Sequence, residues 1–496
     1  MSIRGVIFLL YQVAVIATIV HVLMDNRQPA KTVAWALVIY FVPVAGIIAY
    51  IFFGTNTRRE RFVSRRSMDQ LTKRSMLQFA EQKGLTLPAQ HKQVTDLFIN
   101  ENFALPFSGN RVDILTSGYD FFPSLLRDMA QATSHIHIDV YIFADDALGR
   151  LVADALVAKA RQGVEVRVVY DDVGCWRVHG RFFENMRREG IEVEPFMPVR
   201  FPSFARRANY RNHRKLYVID GRVGYIGGMN IAERYVKGLA GAGQTGGGWR
   251  DTMLRVEGRG VFSLQRAFLI DWYFVDRTLL SDRKYYPISD IEHSECCSGG
   301  DVADGGGQMH GGTSPIVQTV TSGPASPIPE IMHGYVRIIM AASEYVYIET
   351  PYFLPNEPVL FAIKTAARAG VDVRMLCPRR SDARFTDWAS RSYLREVYES
   401  GVKVYLYESG FLHSKLMVCD DSIATCGSTN VDFRSFENNF EGNAFIYDEG
   451  VAIRLRNVFL RDQEQSVLLS DLPQRIHPSF TKRLWESLTR LLSPLL

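Results

Sequence analysis

The chain has 496 residues, 47% of them apolar, and is too long for one hydrophobic core, so two globular units of similar size are expected. Its formal net charge is only +4, with 57 basic against 53 acidic residues, which excludes a histone-like polycation but not local basic patches. The six cysteines form no Cys-x-x-Cys pair, so we expect reduced, mostly buried thiols and neither a disulfide framework nor a zinc site.

Two long apolar runs open the chain, at residues 5–24 and 33–53. A helix needs about 20 residues to cross the hydrocarbon core of a bilayer, and both runs are that long. Their short connection predicts an antiparallel two-helix transmembrane hairpin over residues 1–57. A cleaved signal peptide, or two buried helices of a soluble core, are the alternatives. Five arginines lie within residues 58–66, so the positive-inside rule puts the rest of the chain in the cytoplasm.

The remainder of the chain divides into four segments. A polar, partly helical linker at 58–105 leads to a first unit at 106–290, and a Gly/Ser-rich linker at 291–315 leads to a second unit at 316–496. In each unit, strand-like and helix-like patterns alternate, which indicates an α/β fold with a largely buried sheet. The final stretch, 479–496, has an amphipathic helical pattern, and this helix either packs on the protein or lies on a membrane.

The second unit repeats the first. The stretch NHRKLYVIDGRVGYIGGMN at residues 212–230 aligns without a gap with LHSKLMVCDDSIATCGSTN at residues 412–430, at an offset of 200 residues. The aligned polar pairs are His213 and His413, Lys215 and Lys415, Asp220 and Asp420, and Asn230 and Asn430. A duplication explains this pattern. We expect the two halves to pack about a pseudo-twofold axis, with the duplicated hairpins meeting across it.

The duplicated hairpins carry residues suited to phosphate chemistry. Residues i and i+2 of a strand face the same way, so each histidine projects together with the lysine two positions later. The lysines supply positive charge for an anion, and Asn230 and Asn430 add donors. One neutral imidazole can attack phosphorus while the other, protonated, serves the departing oxygen, and no metal ion is required. Asp220 and Asp420 either join this site or tie down the hairpin. The alternative is an inert hairpin that was merely copied.

The doubled pattern His-x-Lys-x4-Asp resembles the signature of the phospholipase D superfamily. The apolar N-terminus and the stretches YIFADD, TPYFLPNE and GGGWRDT resemble bacterial cardiolipin synthases, along essentially the whole chain. The resemblance implies a ping-pong reaction without metal or cofactor. One phosphatidylglycerol gives a phospho-histidine intermediate and free glycerol, and a second phosphatidylglycerol accepts the phosphatidyl group to give cardiolipin. It also implies a multi-pass protein of the bacterial inner membrane.

Roles for individual residues come from the same resemblance. By family habit His213 is the nucleophile and His413 the acid and base, although the nearly symmetric sequence does not itself choose between them. The motif lysines and aspartates count as further catalytic residues, and Glu233 and Glu441 are the acidic positions expected to orient the histidines. Rival functions are a phospholipase D-type hydrolase, a phosphatidylserine synthase-like transferase, a nuclease on the same scaffold and a non-catalytic membrane scaffold.

A basic, aromatic stretch precedes the first hairpin. It contains Phe201, Phe204, Arg206 and Arg207, a composition suited to an anionic bilayer surface, where each cation contributes roughly 1 kcal/mol. Binding of nucleic acid, or a solvated loop with buried phenylalanines, would account for the same residues. We expect membrane contact here, with phosphatidylglycerol and an anionic bilayer as partners and no nucleic-acid partner. A homo-oligomer is left open.

Overall fold

Apolar helices followed by two α/β halves make up the computed structural model. It describes residues 3–25, 29–54, 88–199, 209–238, 248–287, 314–324, 326 and 328–493. Most of the two expected linkers, 58–105 and 291–315, lies outside the described residues.

The N-terminal apolar runs form helices α1 (Ile3–Asp25), α2 (Pro29–Phe41) and α3 (Pro43–Ala49), and a π turn follows (Tyr50–Gly54). Among the described residues, only α1 is a single helix long and apolar enough to cross a membrane. The second run, expected as one helix, is divided at Pro43, because proline has no N–H to donate and its ring clashes with the carbonyl of the preceding turn. The two runs share one buried cluster, which includes Val15, Val22, Trp35 and Ile39.

Helix α4 (Lys92–Asn102) falls within the expected first linker but packs on the second half. Phe98 is fully buried, and its ring centroid lies 4.4 Å from that of Phe445. The Thr95 carbonyl accepts a hydrogen bond of 3.2 Å from Gln318 Nε2. Helix α4, which precedes the first half in the sequence, therefore packs against the second half.

The first half is built on a seven-stranded sheet. Its strands in chain order, with two short additional strands, are β1 (Asn110–Leu115), β2 (His135–Val140), β3 (Glu165–Asp171), β4 (Glu192–Phe196), β5 (Arg211–Asn212), β6 (Lys215–Ile219), β7 (Val223–Gly227), β8 (Gly248–Arg250) and β9 (Met253–Gly258). Its helices are α5 (Gly118–Gln131), α6 (Ala147–Arg161), α7 (Gly180–Arg188), α8 (Arg234–Lys237) and α9 (Val261–Asp276). Strands β2, β3 and β4 run parallel. All residues of β2 and all but the first residue of β3 are buried, as expected for strands covered by helices.

The second half follows the same plan. Its strands are β10 (Ile316–Ser322), β11 (Tyr345–Glu349), β12 (Phe353–Leu354), β13 (Asp372–Pro378), β14 (Lys403–Tyr407), β15 (Gly410–Leu412), β16 (Leu416–Cys419), β17 (Ile423–Gly427), β18 (Val431–Asp432), β19 (Asn439–Tyr447) and β20 (Ser466–Leu468). Its helices are α10 (Glu330–Ala341), α11 (Glu357–Arg368), α12 (Arg384–Tyr398), α13 (Phe433–Glu437), α14 (Glu449–Glu464), α15 (Pro473–Ile476) and α16 (Phe480–Leu491).

The two sheets have the same strand order. It is β1-β9-β7-β6-β2-β3-β4 in the first half and β10-β19-β17-β16-β11-β13-β14 in the second, where β20 adds an edge strand. Every strand of the first sheet thus has a counterpart at the same place in the second. The expected duplicated α/β fold is confirmed.

A shared core and two exchanged strand pairs join the halves. Apolar residues of β6, including Leu216, and of β16, including Leu416, belong to one buried cluster. Strand β5 of the first half pairs with β19, and β15 of the second half pairs with β8. Each exchanged strand stands directly before one of the duplicated hairpins, so the exchange draws both hairpins to the boundary between the halves.

Candidate active site

The duplicated histidines lie at this boundary. His213 follows β5 and His413 follows β15, and the opposite half holds the backbone of each. The His213 N–H donates to the Phe440 carbonyl at 2.9 Å, and the His413 N–H donates to the Arg250 carbonyl at 2.7 Å. The two side chains are 14% and 9% exposed, so both imidazoles sit in a largely enclosed site.

A carboxylate from the opposite half binds each imidazole. His213 Nδ1 lies 3.1 Å and 3.2 Å from the two carboxylate oxygens of Glu441. His413 Nδ1 lies 2.7 Å from Asp251 Oδ2. Both carboxylates are fully buried, so these contacts are not weakened by solvent. Neither half can orient its own histidine through these contacts, and an intact site requires both.

Asp251 and Glu441 occupy equivalent positions in the two sheets. Each lies two residues before the position that pairs with the first motif glycine, Gly227 or Gly427. Sequence reasoning reached Glu441 but missed Asp251, although the stretch GGGWRDT contains it. The equivalence of Asp251 and Glu441 is seen only when the strand pairing is known, because the residues around the two acids differ between the halves.

The carboxylates fix which ring nitrogen of each histidine carries the proton. A buried carboxylate accepts a hydrogen bond from a protonated Nδ1, which leaves the lone pair on Nε2. Nε2 can then attack an electrophilic atom, or carry a proton to and from a leaving group. The site therefore offers two oriented nitrogen bases, one from each half.

Two buried lysines supply the positive charge of the site. Lys215 Nζ donates to the His213 carbonyl at 2.5 Å and lies 5.4 Å from the ring centroid of Tyr141. Lys415 Nζ donates to the His413 carbonyl and lies 2.8 Å from His413 Nδ1. Ammonium groups removed from water in this way bind an anion strongly, because little solvent screens them.

Burial sets the protonation state of the basic groups in the site. Desolvation, assisted by the charge of Lys415, lowers the pKa of His413 to about 3. Desolvation also lowers the pKa of His213, against the opposing effect of Glu441, and lowers the pKa of Lys215 to about 7. Both imidazoles are therefore neutral at pH 7. Lys415 also lowers the pKa of His213, so groups from the two halves act on one another electrostatically.

The orienting carboxylates remain ionised. Burial by itself works to raise the pKa of Asp251, but Lys415 and His413 outweigh it and hold that pKa below its ordinary value. The equivalent lysine and histidine do the same for Glu441. An ionised carboxylate is what the proposed tautomer requires.

The second motif glycine differs between the halves for a steric reason. In the second half Ser428 Oγ donates to Glu441 Oε2 at 2.5 Å. In the first half the equivalent residue is Gly228, where a Cβ atom would lie 2.0 Å from Asp251 Oδ1. Asp251 therefore needs glycine at this position, whereas Glu441 uses the serine hydroxyl as a hydrogen-bond donor.

Aromatic rings surround the two imidazoles. The ring of Tyr141 lies 5.1 Å from that of His213, and the ring of Trp249 lies 5.0 Å from that of His413. Phe411 and Tyr235 are the next rings beside His413, at 5.8 Å and 6.4 Å. These walls exclude water from the nitrogens, which is the burial that lowers their pKa values.

Comparison with known proteins agrees with this site. A family model described as cardiolipin synthase, PLD-like domain, matches residues 125–239 and 335–463, and one described as phospholipase D-nuclease N-terminal matches residues 13–54. The cardiolipin synthase of Oceanobacillus iheyensis is 37% identical over 96% of this chain and 95% of its own length. The major cardiolipin synthase ClsA of Bacillus subtilis is 36% identical over the full length of both chains.

The chain belongs to the PLD-like cardiolipin synthase family. Its fold is also similar to the crystal structure of phosphatidylserine synthase from Haemophilus influenzae, with a TM-score of 0.59 at 14% identity, over 82% of this chain and all of that one.

The motif aspartates of this family member lie away from the histidines. Asp220 occupies the turn after β6, about 16 Å along the strand from Lys215 at roughly 3.3 Å per residue. Its carboxylate accepts hydrogen bonds from the backbone N–H groups of Thr133, Ser134 and His135, at 2.8 to 2.9 Å. Asp420 binds the backbone of residues 343–345 in the same way. These carboxylates tie down the hairpin turns, at a distance from the imidazoles of His213 and His413.

The motif asparagines are buried and engaged with the protein. Asn230 Oδ1 accepts from the Ile142 N–H at 3.0 Å, while its amide nitrogen donates to the Tyr235 hydroxyl. Asn430 hydrogen-bonds the Asp432 carboxylate, and its Oδ1 has no partner among the described residues. Asn430 could donate to a phosphate, as expected, only if its hydrogen bond to Asp432 were broken. Asn230 stabilises the hairpin through its bonds to Ile142 and Tyr235.

Glu233 is not brought to either histidine. It lies beside helix α8, where its carboxylate pairs with Lys237 and its backbone N–H donates to Asp146. The expected membrane-contact residues Phe201, Phe204, Arg206 and Arg207 lie outside the described residues. No group of three His, Cys, Asp or Glu side chains in the described part of the chain is arranged to hold a metal ion.

Two buried acid pairs, which sequence reasoning missed, support the site. Asp139 in β2 accepts from Asn212 Nδ2 at 2.7 Å, and burial together with Asp271 raises its pKa well above the ordinary value. In the second half, burial and Asp462 raise the pKa of Glu349 to about 8. With a pKa of about 8, Glu349 keeps its proton at pH 7, which removes the repulsion between two buried charges in the second-half pair.

Proposed function

We propose that this protein transfers a phosphatidyl group from one phosphatidylglycerol to the hydroxyl of a second, forming cardiolipin and releasing glycerol. The observation that carries the proposal is the pair of imidazoles, each oriented through Nδ1 by an acid of the opposite half and each beside a buried lysine. A phosphodiester bound between them would meet a nucleophile on one side and a proton donor on the other. Membership of the cardiolipin synthase family supports the choice of lipid.

In the first half-reaction, Nε2 of His213 attacks phosphorus, and the bond from phosphorus to the glycerol oxygen breaks. His413 donates its proton to that oxygen, and glycerol leaves. The bound phosphodiester adds a negative charge beside His413, which favours the protonated imidazole that this step needs. Lys215 and Lys415 stabilise the charge that develops on the other phosphoryl oxygens. The assignment of attack to His213 rests on the family resemblance.

In the second half-reaction, the hydroxyl of another phosphatidylglycerol attacks the phospho-histidine. His413 accepts the proton of that hydroxyl, and the bond from phosphorus to Nε2 of His213 breaks to release cardiolipin. Water is the competing acceptor. An enzyme tethered to the bilayer by α1 meets lipid hydroxyls at a high effective concentration, which favours transfer over hydrolysis.

The catalytic halves are proposed to lie on the cytoplasmic side of the inner membrane, with both apolar runs crossing it. The two runs pack together, and the five arginines after the second run fit the positive-inside rule. Labelling of single cysteines placed at residue 27 and at residue 60 in intact cells tests this topology. Both sites would react from the same side if the divided second run does not cross.

The reaction is tested with the full-length protein and phosphatidylglycerol labelled in its terminal glycerol, in the presence of EDTA. Release of one glycerol for each cardiolipin formed is the expected result. Phosphatidic acid as the only lipid product would overturn the proposal in favour of a hydrolase, and phosphatidylserine formed on addition of serine would change the acceptor. Acid-quenched enzyme should carry label from the phosphatidyl group on a peptide that contains His213, and His213→Ala should carry none.

A further inference from the structure

Helix α16 is packed with its polar side inward. Its buried residues are Glu486 and Thr489, and Glu486 pairs with Arg395 of α12 at 2.6 Å. Arg490 pairs with Glu396, also of α12, at 2.5 Å. Large apolar side chains make up its outward face: Phe480, Leu484, Trp485, Leu488 and Leu491, which are 44 to 80% exposed. A surface helix of a globular protein ordinarily buries its apolar stripe, so this helix is turned the opposite way.

A basic pocket opens at the polar side of the same helix, where Lys482 and Glu486 belong to its lining. Its volume is about 290 Å³, and five cationic side chains line it: Arg379, Arg380, Arg391, Arg475 and Lys482. The carboxylate that lines it, Glu486, is already paired with Arg395. The pocket therefore carries a strong excess of positive charge.

Some of these cations are neutralised, but three are not. Arg379 pairs with Glu408, and Arg391 pairs with Asp387 at 2.5 Å. Within the described ranges, the side chains of Arg380, Arg475 and Lys482 have no carboxylate partner. Burial and the neighbouring charge of Arg391 lower the pKa of Arg475, against the opposing effects of Asp387 and Glu486.

The pocket lies on the same edge of the sheet as the catalytic histidines. Strand β13 ends at Pro378, and Arg379 and Arg380 follow directly. Strand β13 runs parallel to β11, which runs antiparallel to β16, so the end of β13 lies at the edge where β16 begins beside Lys415. At the equivalent edge of the first half, Trp176 follows β3 and is 76% exposed.

We propose that the outward face of α16 and the basic pocket together form a bilayer-docking surface, in which the apolar side chains enter the interfacial region and the pocket binds the phosphate of an anionic phospholipid. This lipid is a different molecule from the one at the histidines. The surface seats the catalytic edge against the membrane independently of the N-terminal helix. It does not depend on which reaction the histidines catalyse.

Charge and shape favour a bilayer over the other occupants. A second copy of the chain packed symmetrically on this face would bring unpaired cations against identical cations. A nucleic-acid strand would complement the pocket but would leave the leucines of α16 against a hydrated polyanion. An anionic bilayer supplies phosphate for the pocket and an apolar layer for the leucines within a few ångströms of each other.

The test places a polarity-sensitive fluorophore on Leu488→Cys of the full-length protein in nanodiscs, which expose both membrane faces. Cys296 and Cys297 are first changed to serine, and the four described cysteines are buried. The nanodiscs contain phosphatidylcholine alone or phosphatidylcholine with phosphatidylglycerol. A blue shift, and quenching by lipids brominated on the acyl chain, are expected in the anionic nanodiscs. A fluorophore that reports water in both compositions would overturn the proposal.

Charge variants then separate specific docking from general attraction. Arg380→Gln with Lys482→Gln should lower the ratio of docked to undocked probe by about tenfold or more, since each cation near an anionic surface is worth roughly a fivefold change. The control pair, Arg188→Gln with Arg368→Gln, removes two exposed cations that precede the opposite edge of the sheets and should leave the ratio within twofold. Equal losses in both pairs would overturn the pocket. A single-stranded oligonucleotide that competes with the nanodisc signal and loses binding only in the pocket variant would also overturn it. So would dimers that vanish with Leu488→Gln while the probe stays unquenched by lipid.

Discussion

Replacing Asp251 by asparagine should separate the orientation of His413 from the stability of the fold. The carboxylate oxygen lies 2.7 Å from His413 Nδ1 in a fully buried position, and the amide is almost isosteric with it. An asparagine side chain can turn its NH2 group toward Nδ1, which moves the proton of the imidazole to Nε2. Nε2, the nitrogen that faces the substrate, then carries the proton of a neutral imidazole. It cannot accept a proton from the attacking hydroxyl, and the ring no longer readily forms the imidazolium that protonates the leaving oxygen.

The same substitution in a serine-protease triad, where a buried acid orients a histidine, lowers kcat by about 10⁴-fold. Here the second imidazole and both lysines stay in place, so we expect a loss of about 10²- to 10⁴-fold in kcat for Asp251→Asn, equivalent to about 3 to 5 kcal/mol in the barrier. The KM for phosphatidylglycerol should change by less than about threefold, because no contact to the bound lipid is removed.

Glu233→Gln is the matched control. It also replaces a carboxylate by an amide, at a position that the sequence predicted would orient a histidine. Its partner is Lys237 at the surface, and a surface ion pair is worth at most about 1 kcal/mol, so turnover should stay within twofold of the wild type. The assay is the initial rate of glycerol release by full-length protein, with thermal unfolding of each variant beside it. Turnover above one tenth of wild type in folded Asp251→Asn, or an equal loss in Glu233→Gln, would refute the cross-half orientation of His413.

The remaining predictions concern the charges and close contacts of the same site. Because the pKa of Lys215 is about 7, kcat/KM should fall as the pH rises through that value, and Lys215→Arg should move this alkaline limb upward in a pH–rate profile. Folding lowers the pKa of His413 from 6.5 to about 3, so the unfolded chain gains its proton first as the pH falls. Stability should drop between these values by up to about 5 kcal/mol, and His413→Asn should flatten that part of the thermal-unfolding profile. Gly228→Ala puts a Cβ atom 2.0 Å from Asp251 Oδ1 and should lower kcat by more than tenfold in protein that still unfolds cooperatively. Asp220→Ala leaves three backbone N–H groups without their acceptor and should lower the thermal midpoint more than it lowers the turnover of the folded fraction.

The duplicated hairpins were predictable from the sequence because the chemistry and the local structure coincide in one short stretch. A two-residue periodicity puts histidine and lysine on one side of a strand, and the copy 200 residues later shows which positions matter. The α/β pattern and the pairing of the halves followed from the same repeat. What the pattern did not give is the orienting acid of His413, since Asp251 is 162 residues away and reaches the ring only through an exchanged strand pair.

The motif aspartates show how a repeated polar residue can be structural. Asp220 and Asp420 have positive φ values of 53° and 48°, a conformation that aspartate tolerates better than most residues. At that position the short carboxylate reaches the backbone N–H groups that open the neighbouring strand, and glutamate or leucine would not. Repetition of a polar residue in both halves therefore indicates a shared constraint. It does not distinguish a reacting group from a cap on the backbone, and only the hydrogen-bond partners separate the two.

The two histidines are not electrostatically equivalent, and the difference orders the steps of the proposed reaction. Lys415 lies 2.8 Å from Nδ1 of His413, whereas the corresponding ammonium, on Lys215, donates to the backbone carbonyl of His213. His413 is therefore the harder of the two to protonate before substrate binds. As the acid of the first step, it gains its proton only after an anionic phosphodiester has compensated the lysine charge. Water that enters before substrate binds then meets two neutral bases and no acid, because the acid forms only when a lipid phosphate is bound.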